Sequence, residues 1–238
     1  RTHVQTGGAT LTAQQPLNNI ARAGFQALAS VLGGIQSMAL SCYDEALALP
    51  TEEAQATALR TQQIIAHEIG VTEVIDPLAG SYYVENLTDR LEAEAQTLID
   101  KVQEMGGAVR AIESGWMQQQ IADSAWRHQQ AVESSQQIIV GVNKFQTPGE
   151  ERSVGIFRPD PETYRIQAGR LATLKKERDN AAVDAALDAL GDFAAAPAGP
   201  ATNLMPPIIA AVRAHATLGE ICGALRDVWG EYEPPVVI

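Results

Sequence analysis

Residues suited to binding chemistry gather early in the chain: His3, Gln5, Gly8, Gln36 and the pair Asp44-Glu45. Glutamine amides inside β-like runs serve either as satisfied structural donors or as groups that orient a ligand. Asp44-Glu45 directly follow such a run, where α/β folds place ligands. The same two acids equally suit a helix start, whose dipole favours negative charge. Gly7-Gly8 either admits a flat ligand close to the backbone or makes a tight turn. His3 lies beside that turn. His67, His128 and His215 show no ligand spacing of the HExxH kind and read as ordinary surface or boundary residues. The chain carries no GxSxG, P-loop or GxGxxG motif. Cys42 and Cys222 stand far apart, outside any CxxC or Cys/His spacing, which excludes a zinc ribbon and argues against a disulfide scaffold.

These residues sit on a strand–helix alternation. Residues 2–6 read as a strand, closed by Gly7-Gly8. A helix is predicted from about Pro16, with the stripe Leu17, Ile20, Ala21, Gly24, Phe25, Leu28, Val31 and Leu32, ending at Gly33-Gly34. Residues 35–41 read as a second strand. Pro50 and Thr51 open another helix, Thr51 as cap and Glu52-Glu53 in the first turn, running to Gly70. A third short strand is predicted at 71–75. Such repetition implies parallel strands joined by helical crossovers, an α/β architecture. Gln5 and Gly8 after one strand, with Gln36 and Asp44-Glu45 at the next, would converge on one sheet face.

Beyond Leu87 the pattern becomes helical. Leu91, Ala95, Leu98, Val102 and Met105 recur behind Thr88 as a cap, a second helix covers about 116–134, and residues 138–142 look strand-like. The texture changes after Phe145: a loop-like stretch at 146–162, a charged helix over about 162–190, an Ala/Pro/Gly joint near 196–202, and a last helical pair over about 203–229. A domain boundary is placed near 146.

The chain has 238 residues, 45% apolar and 19% charged, enough for a real core. Its net charge of −12 opposes generic nucleic-acid binding and docking on anionic lipid. An anionic ligand would need local Lys, Arg or backbone N–H groups. With no run near the roughly 20 apolar residues of a membrane span and no signal peptide, the expected compartment is the cytoplasm. Arg1 in place of an initiator Met suggests a fragment or a processed chain.

The stretch HVQTGGATLTAQQPLNNIARAGFQALASVLGGIQS (3–37) resembles a segment of the methylmalonyl-CoA mutase family. DEALALPT (44–51), RTQQIIAHEIGV (60–71), DPLAGSYYVENLT (76–88) and GVNKF (141–145) match it in the same order. Likeness runs through about residue 145 and more weakly to the end. The resemblance implies that residues 1–145 are the last strands and helices of a TIM barrel and 146–238 a mainly helical extension contacting a cobalamin-binding subunit. It implies adenosylcobalamin as cofactor, with the corrin across the carboxyl-terminal face of the barrel and CoA along its axis. Carried over by position, Gln5 and Gly8 look like corrin contacts, Glu45 and Ala48 like contacts to the corrin or adenosyl part, and Gln36 like a contact to the acyl-CoA. His3 falls on the same cofactor-facing strand.

The implied reaction is a radical carbon-skeleton isomerisation. Homolysis of the cobalt–carbon bond gives a 5′-deoxyadenosyl radical that abstracts a substrate hydrogen, a group migrates, and the hydrogen returns. This chain departs from the family pattern at SMALS (37–41), where Ala39 and Ser41 replace the family's His and Asn, and at QTGG for QTSG. The cobalamin-domain motif DxHxxG is absent, and His215 does not fit it. A two-subunit arrangement of the isobutyryl-CoA or 2-hydroxyisobutyryl-CoA mutase type is therefore expected, with a separate small subunit; participation of a GTPase chaperone stays open. The family's catalytic His belongs to earlier strands, so this fragment alone is expected to be inactive. The rival readings are a barrel-derived assembly or interaction protein that has lost catalysis, and an unrelated α/β-barrel lyase.

Overall fold

A computed structural model describes residues 1–149, 154–197, 199 and 203–233. The chain divides into two compact units, the first running Arg1–Arg158 and the second beginning at Pro159.

The first unit opens with strand β1 (His3–Gln5), helix α1 (Asn18–Leu32), strand β2 (Ser37–Ala39) and helix α2 (Glu52–His67). The strands pair in parallel, His3 with Ser37, Val4 with Met38 and Gln5 with Ala39, so α1 is a crossover. Side chains alternate along a strand. Val4 and Met38 therefore share one face, and Met38 packs on the core there. His3, Gln5, Ser37 and Ala39 share the other, on which His3, Gln5 and Ser37 are exposed.

The core lies between α1, α2 and β2, built from Ala23, Ala27, Leu40, Cys42, Tyr43, Ala54, Ala58 and Ile65. Small side chains decide this geometry. Ala23 and Ala27 face inward one turn apart, Ala54 and Ala58 do the same from α2, and a Cβ on Gly24 would stand 3.6 Å from Thr61 Cγ2. The helices consequently approach closely. The face that α1 buries is Asn19, Ala23 and Ala27, whereas the predicted stripe members Leu17 and Phe25 are exposed. The apolar residues of α1 spread over more than one face, so periodicity alone could not say which face this unit covers. Gly34, at φ +75°, ends the helix as expected.

The predicted strand at 71–75 is instead a 3-10 turn, Val71–Glu73, with Ile75 fully exposed and no described strand beside it to pair with. Residues 138–142 yield only an isolated bridge, Val140 with Lys144, because Gly141 turns the backbone at φ +80°. Helix α3 (Tyr82–Glu104) starts earlier than Thr88: Ser81 caps it, its hydroxyl accepting from the Val84 amide. Helices α4 (Ala108–Glu113) and α5 (Trp116–Glu133) follow.

The second unit is helical: α6 (Pro161–Glu177), α7 (Asn180–Ala195), α8 (Met205–Arg213) and α9 (Leu218–Trp229). The single charged helix predicted over 162–190 is broken at Arg178-Asp179, where Asp179 caps α7 through the Ala182 amide. Leu190, Ala211 and Ile221 form this unit's core. The Arg178 guanidinium grips both oxygens of Glu220 at 2.7 and 2.8 Å, and Trp229 Nε1 donates to the Ala194 carbonyl. The joint expected near 196–202 falls largely outside the described residues. No helix among the described residues is long and apolar enough to cross a membrane.

Candidate functional site

At the carboxyl ends of β1 and β2 the first unit opens into a groove of about 1070 Å³. Gln5 lines it from the last position of β1, Ala39 from the matching position of β2, and Glu45 and Ala48 from the β2–α2 loop; Cys42, Leu49 and Gln62 are among the residues that form its other walls. Gln5 and Glu45 thus converge on one end of the sheet, both exposed. Gly8 joins them by contact, since a Cβ placed on it would come within 2.1 Å of Glu45 Oε1. Any larger residue at position 8 therefore displaces the carboxylate.

His3 and Gln36 lie at the other end. His3 opens β1 and exchanges a 2.8 Å hydrogen bond between Nδ1 and Ser37 Oγ. Gln36 precedes β2, so it does not meet Asp44-Glu45 at the carboxyl end as the sequence pattern suggested. Both halves of its amide are used: Oε1 accepts from the Thr2 amide and Nε2 donates to the Gly34 carbonyl. The strand is shorter than its β-like run, which is why a residue read as near its end stands before its start.

The two acids divide their work. Glu45 is exposed to the groove, whereas Asp44 is only 1% exposed and serves the fold. Asp44 Oδ2 accepts from the Thr51 amide at 2.8 Å and from the Thr51 hydroxyl at 3.1 Å, and Thr51 Oγ1 in turn caps α2 at the Ala54 amide. Burial first, then the Asp44 and Glu45 carboxylates, pushes the Cys42 thiol above its ordinary value, so it stays a neutral wall of the groove. Burial, then Glu53, likewise raises the Tyr43 phenol.

Sequence reasoning passed over Thr6 and Asn19, and noted Ser41 only as a departure from the family pattern. Thr6 and Ser41 are buried and reciprocal: Thr6 Oγ1 accepts from the Ser41 amide at 2.8 Å, and Ser41 Oγ donates to the Thr6 carbonyl at 3.0 Å. Ser41, which stands where the resembling family has Asn, lines the groove but turns its hydroxyl into the sheet. Asn19 is fully buried and bonds the Tyr43 carbonyl across the unit. One signal was legible, namely a polar residue one turn before Ala23 and two before Ala27 on the same helical face.

The methylmalonyl-CoA mutase family model matches residues 1–231. The chain is 46% identical over 237 residues to the 2-hydroxyisobutanoyl-CoA mutase large subunit of Aquincola tertiaricarbonis, covering 99% of this chain and 42% of that protein. It is 43% identical to the methylmalonyl-CoA mutase of Rhizobium meliloti (strain 1021), covering 98% of this chain and 32% of that one. For the Escherichia coli (strain K12) methylmalonyl-CoA mutase the identity is 39%, with 99% and 32% covered. The chain spans less than half the length of these relatives.

Proposed function

The chain belongs to the methylmalonyl-CoA mutase family, and from that premise we propose that it is the carboxy-terminal part of the substrate-binding large subunit of an adenosylcobalamin-dependent acyl-CoA mutase. The observation that carries this reading is the convergence of Gln5, Glu45 and Ala48 on one groove, with Gly8 packed against the Glu45 carboxylate. The bare sheet face supports it too. Parallel sheets are covered on both faces, and among the described residues one face here carries His3, Gln5, Ser37 and Ala39 with His3, Gln5 and Ser37 exposed, as the inside of a barrel would if the remaining strands came from elsewhere in the subunit. Residues 1–145 would then be the last strands and helices of a TIM barrel, and 146–238 an extension toward the cobalamin-binding subunit.

The residues present fit a corrin. Gly8 offers backbone without a side chain, Ala39, Ala48 and Leu49 offer apolar surface, and Gln5 and Glu45 offer an amide and a carboxylate to polar groups at a macrocycle's edge or on a ribose. When bound, adenosylcobalamin supplies a cobalt–carbon bond that can break homolytically and start a radical rearrangement. This chain's contribution is to orient and to exclude water: Gln5 and Glu45 fix the ring's register, and neutral Cys42, Ala48 and Leu49 keep the neighbouring wall apolar. His3, read from the resemblance as a cofactor contact, shares the sheet face of Gln5 but stands at the amino end of β1, away from the groove and bonded to Ser37. Gln36 would reach the acyl-CoA only by exchanging its bonds to Thr2 and Gly34.

A separate small subunit is favoured because the relative at 46% identity is named as a large subunit. The rearranged substrate is a branched acyl-CoA of the methylmalonyl, isobutyryl or 2-hydroxyisobutyryl type. The test mixes the complete large subunit with its small subunit and adenosylcobalamin and follows isomerisation of these three thioesters by chromatography. Conversion of one of them, weakened by Gln5→Ala, is expected. Absence of cofactor-dependent conversion of all three overturns the proposal.

A further inference from the structure

The loop that presents Glu45 and Ala48 to the groove contains no helix or strand, so something outside it must set its position. Internally it has only turn bonds: Glu45 N to the Cys42 carbonyl, and Leu47 N and Ala48 N to the Asp44 carbonyl. Its far end is tied by Asp44 to Thr51. Its near end leaves the sheet at the Thr6–Ser41 pair and is tied two residues further on by Asn19.

Every hydrogen-bonding position of the Asn19 amide group is used. Nδ2 donates to the Tyr43 carbonyl at 2.8 Å and to the Thr12 carbonyl at 2.9 Å, while Oδ1 accepts from the Thr12 amide at 3.1 Å and from Arg22 Nη1 at 2.8 Å. Arg22 then reaches the Val140 carbonyl with Nη2 at 2.8 Å. A buried amide is tolerated only when so satisfied. Three of these bonds stay within residues 12–22 and secure the entry to α1. The fourth crosses to the β2–α2 loop and fixes the peptide plane between Tyr43 and Asp44, and hence the direction in which Asp44 and Glu45 leave the sheet.

We propose that Asn19 is a positioning residue for the ligand-facing loop: by holding the Tyr43 carbonyl it sets where Glu45 and Ala48 stand in the groove. The effect on ligand rests on the reading of that groove as an adenosylcobalamin site; the effect on the loop does not.

Asn19→Asp separates the two halves of the amide. An aspartate keeps an oxygen for the Thr12 amide and Arg22, whose positive charge faces it, but turns its other oxygen toward the Tyr43 and Thr12 carbonyls and so loses both donated bonds, of which only the one to Tyr43 reaches the loop. In the complete large subunit without cofactor, hydrogen exchange of the Glu45, Leu47 and Ala48 amides is expected to quicken about 3- to 10-fold, the worth of one hydrogen bond, while α1 keeps its protection. With the small subunit present, the adenosylcobalamin Kd is expected to rise by a similar factor with the KM for acyl-CoA unchanged, and Arg22→Gln, which leaves the Tyr43 bond intact, to leave that Kd unchanged. Unaltered exchange at these three amides, or loss spread evenly over α1 and the loop, overturns the inference. Should Asn19→Asp fail to fold, Asn19→Ser is read by the same comparison, and failure of both to fold would make the residue purely structural and overturn the inference as well. If the wild-type protein binds no adenosylcobalamin, the functional reading fails while the exchange pattern still decides the role of Asn19.

Discussion

Thr6→Val probes the Thr6–Ser41 staple that joins the carboxyl ends of β1 and β2 beside the groove. Thr6 is 5% and Ser41 3% exposed, so water cannot replace what is lost. Valine matches threonine in volume and leaves no cavity; the change removes one acceptor, and the Ser41 amide that pointed at it from 2.8 Å is orphaned. An unsatisfied buried N–H costs about 1–3 kcal/mol. Taking about 2 kcal/mol, local opening becomes about 30-fold more frequent. The amide at position 6, which donates to the Ala39 carbonyl at 3.1 Å, reports that opening directly. Its exchange, followed by NMR in the native state, should accelerate by about that factor, whereas Thr6→Ser, which keeps the acceptor, should move it far less. Ser41→Ala removes only the reverse bond to the Thr6 carbonyl, and carbonyls tolerate loss better than N–H groups; an effect nearer 1 kcal/mol is expected. If Thr6→Val and Thr6→Ser behave alike, the hydroxyl is not the closing element and the reasoning fails.

Three further outcomes are expected. Gly8→Ala should leave thermal stability within about 0.5 kcal/mol, since only an exposed carboxylate must move; the displaced Glu45 should weaken adenosylcobalamin binding about tenfold, about 1.4 kcal/mol, by spectroscopic titration of the complete enzyme. Ala27→Leu, at a fully buried contact between α1 and α2, should cost about 1–3 kcal/mol by overpacking, read from urea unfolding by circular dichroism. In the second unit, the Arg178 guanidinium, followed by the Thr217 amide, holds the Glu220 carboxyl far below its ordinary value of 4.5. A depressed folded-state value means that this contribution is complete above pH 4.5 and drains away as the pH falls below it. With the two tryptophans of the first unit, Trp116 and Trp126, replaced by Phe, Trp229 fluorescence should show acid sensitivity that Glu220→Gln lessens; identical acid profiles for the two proteins would count against the ion pair.

Much of this was legible without coordinates because it is written in local chemistry. Proline and threonine at 50–51 mark the start of α2, the glycines at 33–34 stop α1, and strand–helix alternation implies a parallel pair; each signal acts within a few residues and needs no neighbour. The grouping of His3, Gln5, Gly8, Glu45 and Ala48 came from ordered motifs; Gln5, Glu45 and Ala48 line one groove and Gly8 lies against Glu45, whereas His3 stands at the other end of the strand. The strands predicted at 71–75 and 138–142 were misjudged because a strand needs a partner, and β-like composition does not provide one.

Sequence by itself determined that this chain belongs to an α/β family, where its main helices begin and end, and which residue types are offered at the sheet's tip. Tertiary structure alone decided that Asp44 turns inward to cap a helix while Glu45 faces the groove, that Ser41 is spent on Thr6, that Gln36 stands at the opposite end of its strand, and that Asn19 reaches across to Tyr43. The physical reason is separation along the chain. Burial, and hydrogen bonds between residues 24 or 35 positions apart, depend on how segments pack, and no local pattern of side chains encodes that distance.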